Sequence, residues 1–232
     1  MYYLIINGFN TSTIPHSVVT DFGVSECAEP KTSEVVDIYG MNGSYRVLDG
    51  SYKSYERMIS FYLPKLIDVS TIIEKFHDGK NEIEFGYQPD SLFYAEYISA
   101  SYHRNGPHAY TLDVKLLMHP FRYPKNIEPV VLTSTGTIDN IGTVYSEPII
   151  EIEGNGDISL TIGKQSMYLS IIGKATIDCR QGKQNIFNAN GAVQNTLRKR
   201  GGFFEIPVGN SGVTFTGNVR KVTIKPNWRY KV

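Results

Sequence analysis

Glu151 and Glu153 are the two residues of this chain whose spacing comes nearest to acid–base chemistry. Glycoside hydrolysis needs a pair of carboxylates, one to deliver a proton and one to attack or to activate water. Two residues apart on a strand, this pair shares a face with Cα atoms roughly 7 Å apart. The same alternation argues against catalysis. Pro148, Ile150 and Ile152 occupy the opposite face, so the glutamates fall on the side expected to be wet. A solvated strand face is the plainer reading. Carbohydrate binding usually shows surface tryptophans for stacking, and the sole tryptophan, Trp228, lies in the C-terminal Pro-Asn-Trp-Arg-Tyr-Lys segment.

The other chemical candidates weaken in the same way. His103, His108 and His119 invite a zinc reading, but His103-Arg-Asn-Gly-Pro-His108 reads as a polar loop between strands, with no cysteine or carboxylate at tetrahedral spacing. Cys27 and Cys179 stand far apart, as neither a disulfide framework nor a metal motif, and they fit a reducing compartment. No Gly-x-Ser-x-Gly elbow presents a nucleophile. Gly154-Asn-Gly156 lacks the third glycine and the following helix of a dinucleotide fingerprint. The Gly-Lys pairs at 163, 173 and 182 lack the rest of a phosphate loop, and all of these glycines read as hairpin turns. Arg198-Lys-Arg200, with Lys225, Arg229 and Lys231, has neither a groove-entering helix nor a stacking motif beside it, which favours a solvated loop or an acidic protein partner over nucleic acid. The sequence therefore predicts no catalytic residue, no cofactor site and no metal site: this chain is expected not to be an enzyme.

The elements that carry these residues are mostly strands. Tyr3-Leu-Ile-Ile stops at Asn7-Gly8, and Glu34–Tyr39 stops at Gly40-Met-Asn42-Gly43. Tyr45–Leu48 and Arg57–Leu63 follow, the latter alternating Ile59, Phe61 and Leu63 with Met58, Ser60 and Tyr62. Ser70–Gly79 reads as the one α-helix, with Thr71 and Glu74 at capping-box spacing and a glycine stop. Strand patterns resume at 82–85, 94–100 and 109–118, before His119-Pro120, Pro124 and Pro129 break the sheet. Beyond residue 142 come a hairpin turning at Gly154-Asn-Gly156 and strands at 167–172, 175–179, 203–208, 213–215 and 219–224. This spacing is that of a β-sandwich. Residues 188–202 read as an exposed excursion.

Composition is that of a globular chain, 41% hydrophobic and 20% charged, with zero formal net charge. The charge divides unevenly. Residues 1–128 carry 11 Lys/Arg against 16 Asp/Glu, and residues 129–232 carry 12 against 7. Opposite halves and 16 tyrosines suit a protein that packs against its own copies. Neither a signal peptide nor a run of roughly 20 apolar residues occurs, so a soluble chain made in the cytosol is expected, with no membrane insertion.

In this order the features resemble the distal tail protein (Dit) family of long, non-contractile-tailed bacteriophages. The resemblance rests on Asn7-Gly8, Val36-Asp-Ile-Tyr-Gly-Met-Asn-Gly43, the single helix, Tyr94-Ala-Glu-Tyr97, Met118-His-Pro-Phe-Arg-Tyr123, Asn140-x-Gly-Thr-x-x-Ser-x-Pro148 and the Ile-x-Gly-x-Gly-Asp-Ile turn. It implies a mainly β, two-domain protein. Residues 1–132 would be a ring-forming, tail-tube-like β domain with one short α-helix, and residues 133–232 a peripheral galectin-like β-sandwich. It further implies a structural virion protein at the phage tail tip, synthesised in the host cytoplasm. Its copies would form a hexameric ring, single or stacked, joining the tail tube protein to the tip or baseplate subunits and a receptor-binding protein. DNA would meet it only in passage through the channel. The chain has no room for an inserted sugar-binding module. The rival reading is a carbohydrate-binding module for host cell-wall recognition.

Overall fold

In the computed structural model, residues 2–231 are described, with the side chain of Ser33 excepted. The chain is mainly β with one α-helix and divides into two compact units, residues 1–125 with 231–232, and Asn126–Tyr230. No helix among the described residues is long and apolar enough to cross a membrane.

The first unit contains β1 (Leu4–Ile6), β2 (Phe9–Asn10), β3 (Val18–Asp21), β4 (Pro30–Asp37), β5 (Ser44–Tyr52), β6 (Tyr55–Leu63), α1 (Leu66–Ile73), β7 (Lys80–Phe85), β8 (Ser91–Arg104) and β9 (Tyr110–Pro124). Seven of these strands form one antiparallel path, β2-β1-β7-β8-β9-β6-β3, while β4 and β5 pair only with each other. Alternation sets the core. Ile59, Phe61 and Leu63 on β6 meet Leu112, Val114 and Leu116 of β9, together with Phe85, Phe93 and Ile72, and Met58, Ser60 and Tyr62 turn away. Removing that apolar area from water is the main stabilising term.

The helix lies earlier than its sequence pattern suggests. It starts at Leu66 because Asp68 Oδ2 accepts the Lys65 backbone N–H at 3.1 Å. It ends at Ile73 because the backbone beyond is claimed by asparagines. Asn7 Nδ2 donates to Lys75 O at 2.8 Å, and Asn81 exchanges hydrogen bonds with His77, accepting from its N–H at 2.7 Å. The expected strand break at His119-Pro120 is also absent: β9 runs on to Pro124. Pairing with β6 has ended at Met118, and the β8 register shifts between Phe93 and Ala95, so neither of these neighbours needs the missing Pro120 N–H.

The second unit contains β10 (Val130–Leu132), β11 (Gly136–Asn140), β12 (Ile149–Ile162), β13 (Gln165–Asp178), β14 (Asn185–Phe187), β15 (Arg198–Arg200) and β16 (Gly209–Lys225). The long strands β16, β12 and β13 lie side by side, β10 and β11 pair with β16, and β14 and β15 pair with β13. Here the expected turns at Gly154-Asn-Gly156 and Gly173-Lys174 are corrected. Both, like Gly217-Asn218, lie inside continuous strands, at one level of the sheet: Gly154 pairs with Gly173 on one side and Val219 on the other. A Cβ on Gly154 would stand 2.4 Å from Asn218 O, and one on Gly217 would stand 2.4 Å from Asp157 O. These glycines permit close strand approach, and the register shifts beside them bend the strands. Buried residues on both sides of this line, Ile150 and Ile152 with Leu160 and Ile162, belong to one core. The true hairpin turn is Gly163-Lys164, flanked by the Ile162–Gln165 pair.

Residues 203–208, expected as a strand, make only an isolated bridge from Ile206 to Ser146. The 188–202 excursion is largely exposed and carries a 3-10 turn, Asn195–Leu197, and then β15.

Candidate assembly interface

The β4–β5 hairpin is the part of the first unit with no core of its own. Val35, Ile38, Tyr39, Met41, Tyr45 and Leu48 are all at least half exposed, and Tyr39 projects completely into solvent. Gly40 and Gly43 supply the positive φ (81° and 88°) that the tip turn demands. A two-stranded hairpin is marginal in water by itself. This one also displays apolar side chains and unpaired strand edges, features that mark contact surfaces.

Its root is firmly held. The Lys53 N–H donates to Glu29 O at 2.8 Å, and Lys53 Nζ lies 2.9 Å from Glu29 Oε1. That hydrogen bond and the Lys53 charge hold the Glu29 carboxyl below its ordinary pKa. Tyr52 packs edge-on against Phe121, ring centroids 5.2 Å apart. On the entering side, Arg57 is buried with its guanidinium 4.2 Å from the Phe85 ring centroid, and its Nε donates to Phe22 O at 2.5 Å. Gly23 follows at φ +67°, where a Cβ would strike Met58 O. An anchored root with an uncovered blade is geometry for grasping another surface. Sequence reasoning read these segments as strands without seeing that both faces would be left bare, because period-two patterning reports only that a face is apolar.

The residues singled out for chemistry do not converge. Glu151 is paired with Lys174 at 2.8 Å, while Glu153 is held by Lys221 at 2.7 Å and by Arg220. The Lys221 and then Arg220 hydrogen bonds pull the Glu153 carboxyl down to about 2, so it carries no proton to donate near neutrality. His103 lies near the end of β8, His108 in the loop that follows, and His119 far along β9. Burial lowers the His119 pKa. No cluster of three metal-ligating side chains occurs among the described residues. Cys27 is exposed; Cys179 is buried, and desolvation pushes its thiol up to about 12, leaving no thiolate to attack. Arg198 and Arg200 lie over the rings of Phe203 and Tyr168 at 4.8 and 5.9 Å.

The Asn140–Pro148 motif is structural. Asn140 is buried and donates to Val144 O at 3.0 Å and Ile206 O at 2.9 Å, while its Oδ1 accepts from the Gly142 N–H. Arg229 donates to Tyr145 O and lies 3.2 Å from Glu147 Oε1. Side-chain amide and guanidinium groups thus tie down an irregular segment whose backbone would otherwise be unsatisfied.

No family model matches the chain, and no curated protein matches it in sequence. Among solved structures it is similar to the crystal structure of the SPP1 Dit (gp 19.1) protein, described as a paradigm of the hub adsorption apparatus in phages that infect Gram-positive hosts. The likeness has a TM-score of 0.71 at 14% identity and covers 100% of this chain and 99% of that one. The chain thus has the fold of a phage Dit protein.

Proposed function

We propose that this chain is a structural hub of a bacteriophage tail, a Dit-like protein whose copies close into a ring between the tail tube and the tail tip. The observation that carries the reading is the β4–β5 hairpin, with exposed apolar residues on an anchored root, in a fold shared with a phage hub protein. One copy's hairpin laid on a different surface of the next gives a heterologous contact, which closes into a ring when the rotation permits. In this reading the first unit builds a hexamer around a channel for DNA, and the second stands at the periphery as a galectin-like sandwich. The tail tube protein and the tip or baseplate proteins are its partners, the virion is its place, and its role is architectural rather than catalytic. The glutamate pair supports this, being fully committed to ion pairs.

Light scattering after size exclusion, across a concentration series and again with tail tube protein added, tests the reading. Oligomers that appear as rings in negative-stain images are expected. A monomer under every condition refutes it.

A further inference from the structure

In the second unit, a cavity of about 530 Å³ opens between the β12–β13 turn, the Asn140–Pro148 segment and the start of β16. Its walls are braced. The Gly163 N–H donates to Gly212 O, and the Glu205 N–H donates to Gln165 Oε1, both at 2.8 Å. Tyr145 is held from behind its backbone by Arg229, whose guanidinium also lies 4.5 Å from the ring centroid.

Asn140, Glu147, Glu151, Glu153, Asp178 and Asn195 all spend their side chains on internal partners. By contrast, the Ser211 hydroxyl has no partner among the described residues, although the residue is only 5% exposed. The Asn210 amide and the Glu205 carboxylate on the rim are also unengaged, and so is the Lys164 ammonium. Pro207, Tyr145 and the nearly buried Ile162 also line it. A preformed cavity of this size with a few convergent polar groups is the usual form of a small-ligand site.

We infer that this cavity binds a single saccharide ring. A pyranose has one apolar face and an equator of hydroxyls that both donate and accept. The lining supplies both kinds of contact, apolar ones from Pro207 and Tyr145, and a hydroxyl, an amide, a carboxylate and an ammonium from Ser211, Asn210, Glu205 and Lys164. The opposite charges of Lys164 and Glu205 favour an uncharged sugar over a polyanion.

The test is a titration of the ¹⁵N-labelled full chain with the methyl glycosides of glucose, galactose, N-acetylglucosamine and rhamnose, with cyclohexanol as the apolar control. At least one glycoside is expected to shift the amide signals of Gly163, Gln165 and Gly212 saturably, with a dissociation constant of about 1–10 mM. Ser211→Ala and Asn210→Ala, checked by thermal melting to be folded, are each expected to weaken that binding about three- to tenfold. The inference is overturned by saturable shifts at other signals only, by no saturable shift from any glycoside up to about 100 mM, or by unchanged binding in both variants. It is equally overturned if cyclohexanol shifts the cavity signals at the same concentrations, since the cavity would then be an apolar socket for a protein side chain.

Discussion

Gly154 on β12 stands directly opposite Gly173 on β13, yet the two glycines answer different demands. Gly173 has φ +74° with open space around it, whereas Gly154 has ordinary backbone angles but the Asn218 carbonyl where a side chain would go. One is needed for its torsion and the other for its missing Cβ.

Substitution should separate these causes. Gly154→Ala is expected to cost at least about 2 kcal/mol, because the clash is with the Asn218 backbone, which cannot swing aside. Gly173→Ala is expected to cost about 1 kcal/mol, the penalty of a left-handed torsion alone. Urea denaturation midpoints measure both, and equal costs would contradict the assignment.

Asn140→Ala should cost about 3 kcal/mol, because it strands the Val144 carbonyl and the Gly142 N–H in a buried segment and removes one of the two donors to Ile206 O. Asn140→Asp should not rescue it, since a carboxylate cannot donate to the two carbonyls. The same denaturation experiment reads both variants.

Acid should weaken the second unit through Glu153. Its folded-state pKa is depressed from 4.5 to about 2, so its contribution is fully present above about pH 5 and is lost as pH falls through about 2. Asp178 acts with the same sign. Burial alone would raise its pKa, but hydrogen bonds from Arg180 hold it below the ordinary carboxylate range. Melting temperature followed from pH 6 down to about pH 2 should fall less steeply in Glu153→Gln than in the parent chain. Parallel curves would show that the ion pairs are energetically idle.

The hairpin blade should govern assembly and not folding. Ile38→Asp and Met41→Asp place charges on side chains that are exposed in the free chain, so melting of the monomer is expected to move by no more than about 0.5 kcal/mol. Oligomers seen by light scattering should be lost. If both variants assemble like the parent, the contact lies elsewhere.

Local pattern sufficed wherever one strand face meets a core. The alternation of Ile59, Phe61 and Leu63 with Met58, Ser60 and Tyr62 was legible, as was the outward face of Glu151 and Glu153, because side-chain direction follows from a period of two. A cue also went unused at Gly154-Asn-Gly156. Ile150, Ile152, Ile158, Leu160 and Ile162 keep one phase across the glycines, as a strand that never turns requires. The helix was misplaced because its end is set by Asn7 and Asn81, residues from other segments whose side chains capture the backbone just beyond its last turn.

By itself, then, the sequence determined strand faces, a mainly β chain with one helix, and the absence of any recognisable catalytic motif, all of which depend on neighbours within a few residues. Only tertiary structure decided which glycines turn and which lie in mid-strand, that the glutamates are consumed by Lys174, Lys221 and Arg220, and that the hairpin stands bare while a cavity forms beside Ser211. The physical reason is one of range. Backbone torsion and alternation are local, whereas steric contact, ion pairing and exposure depend on segments brought together from distant parts of the chain.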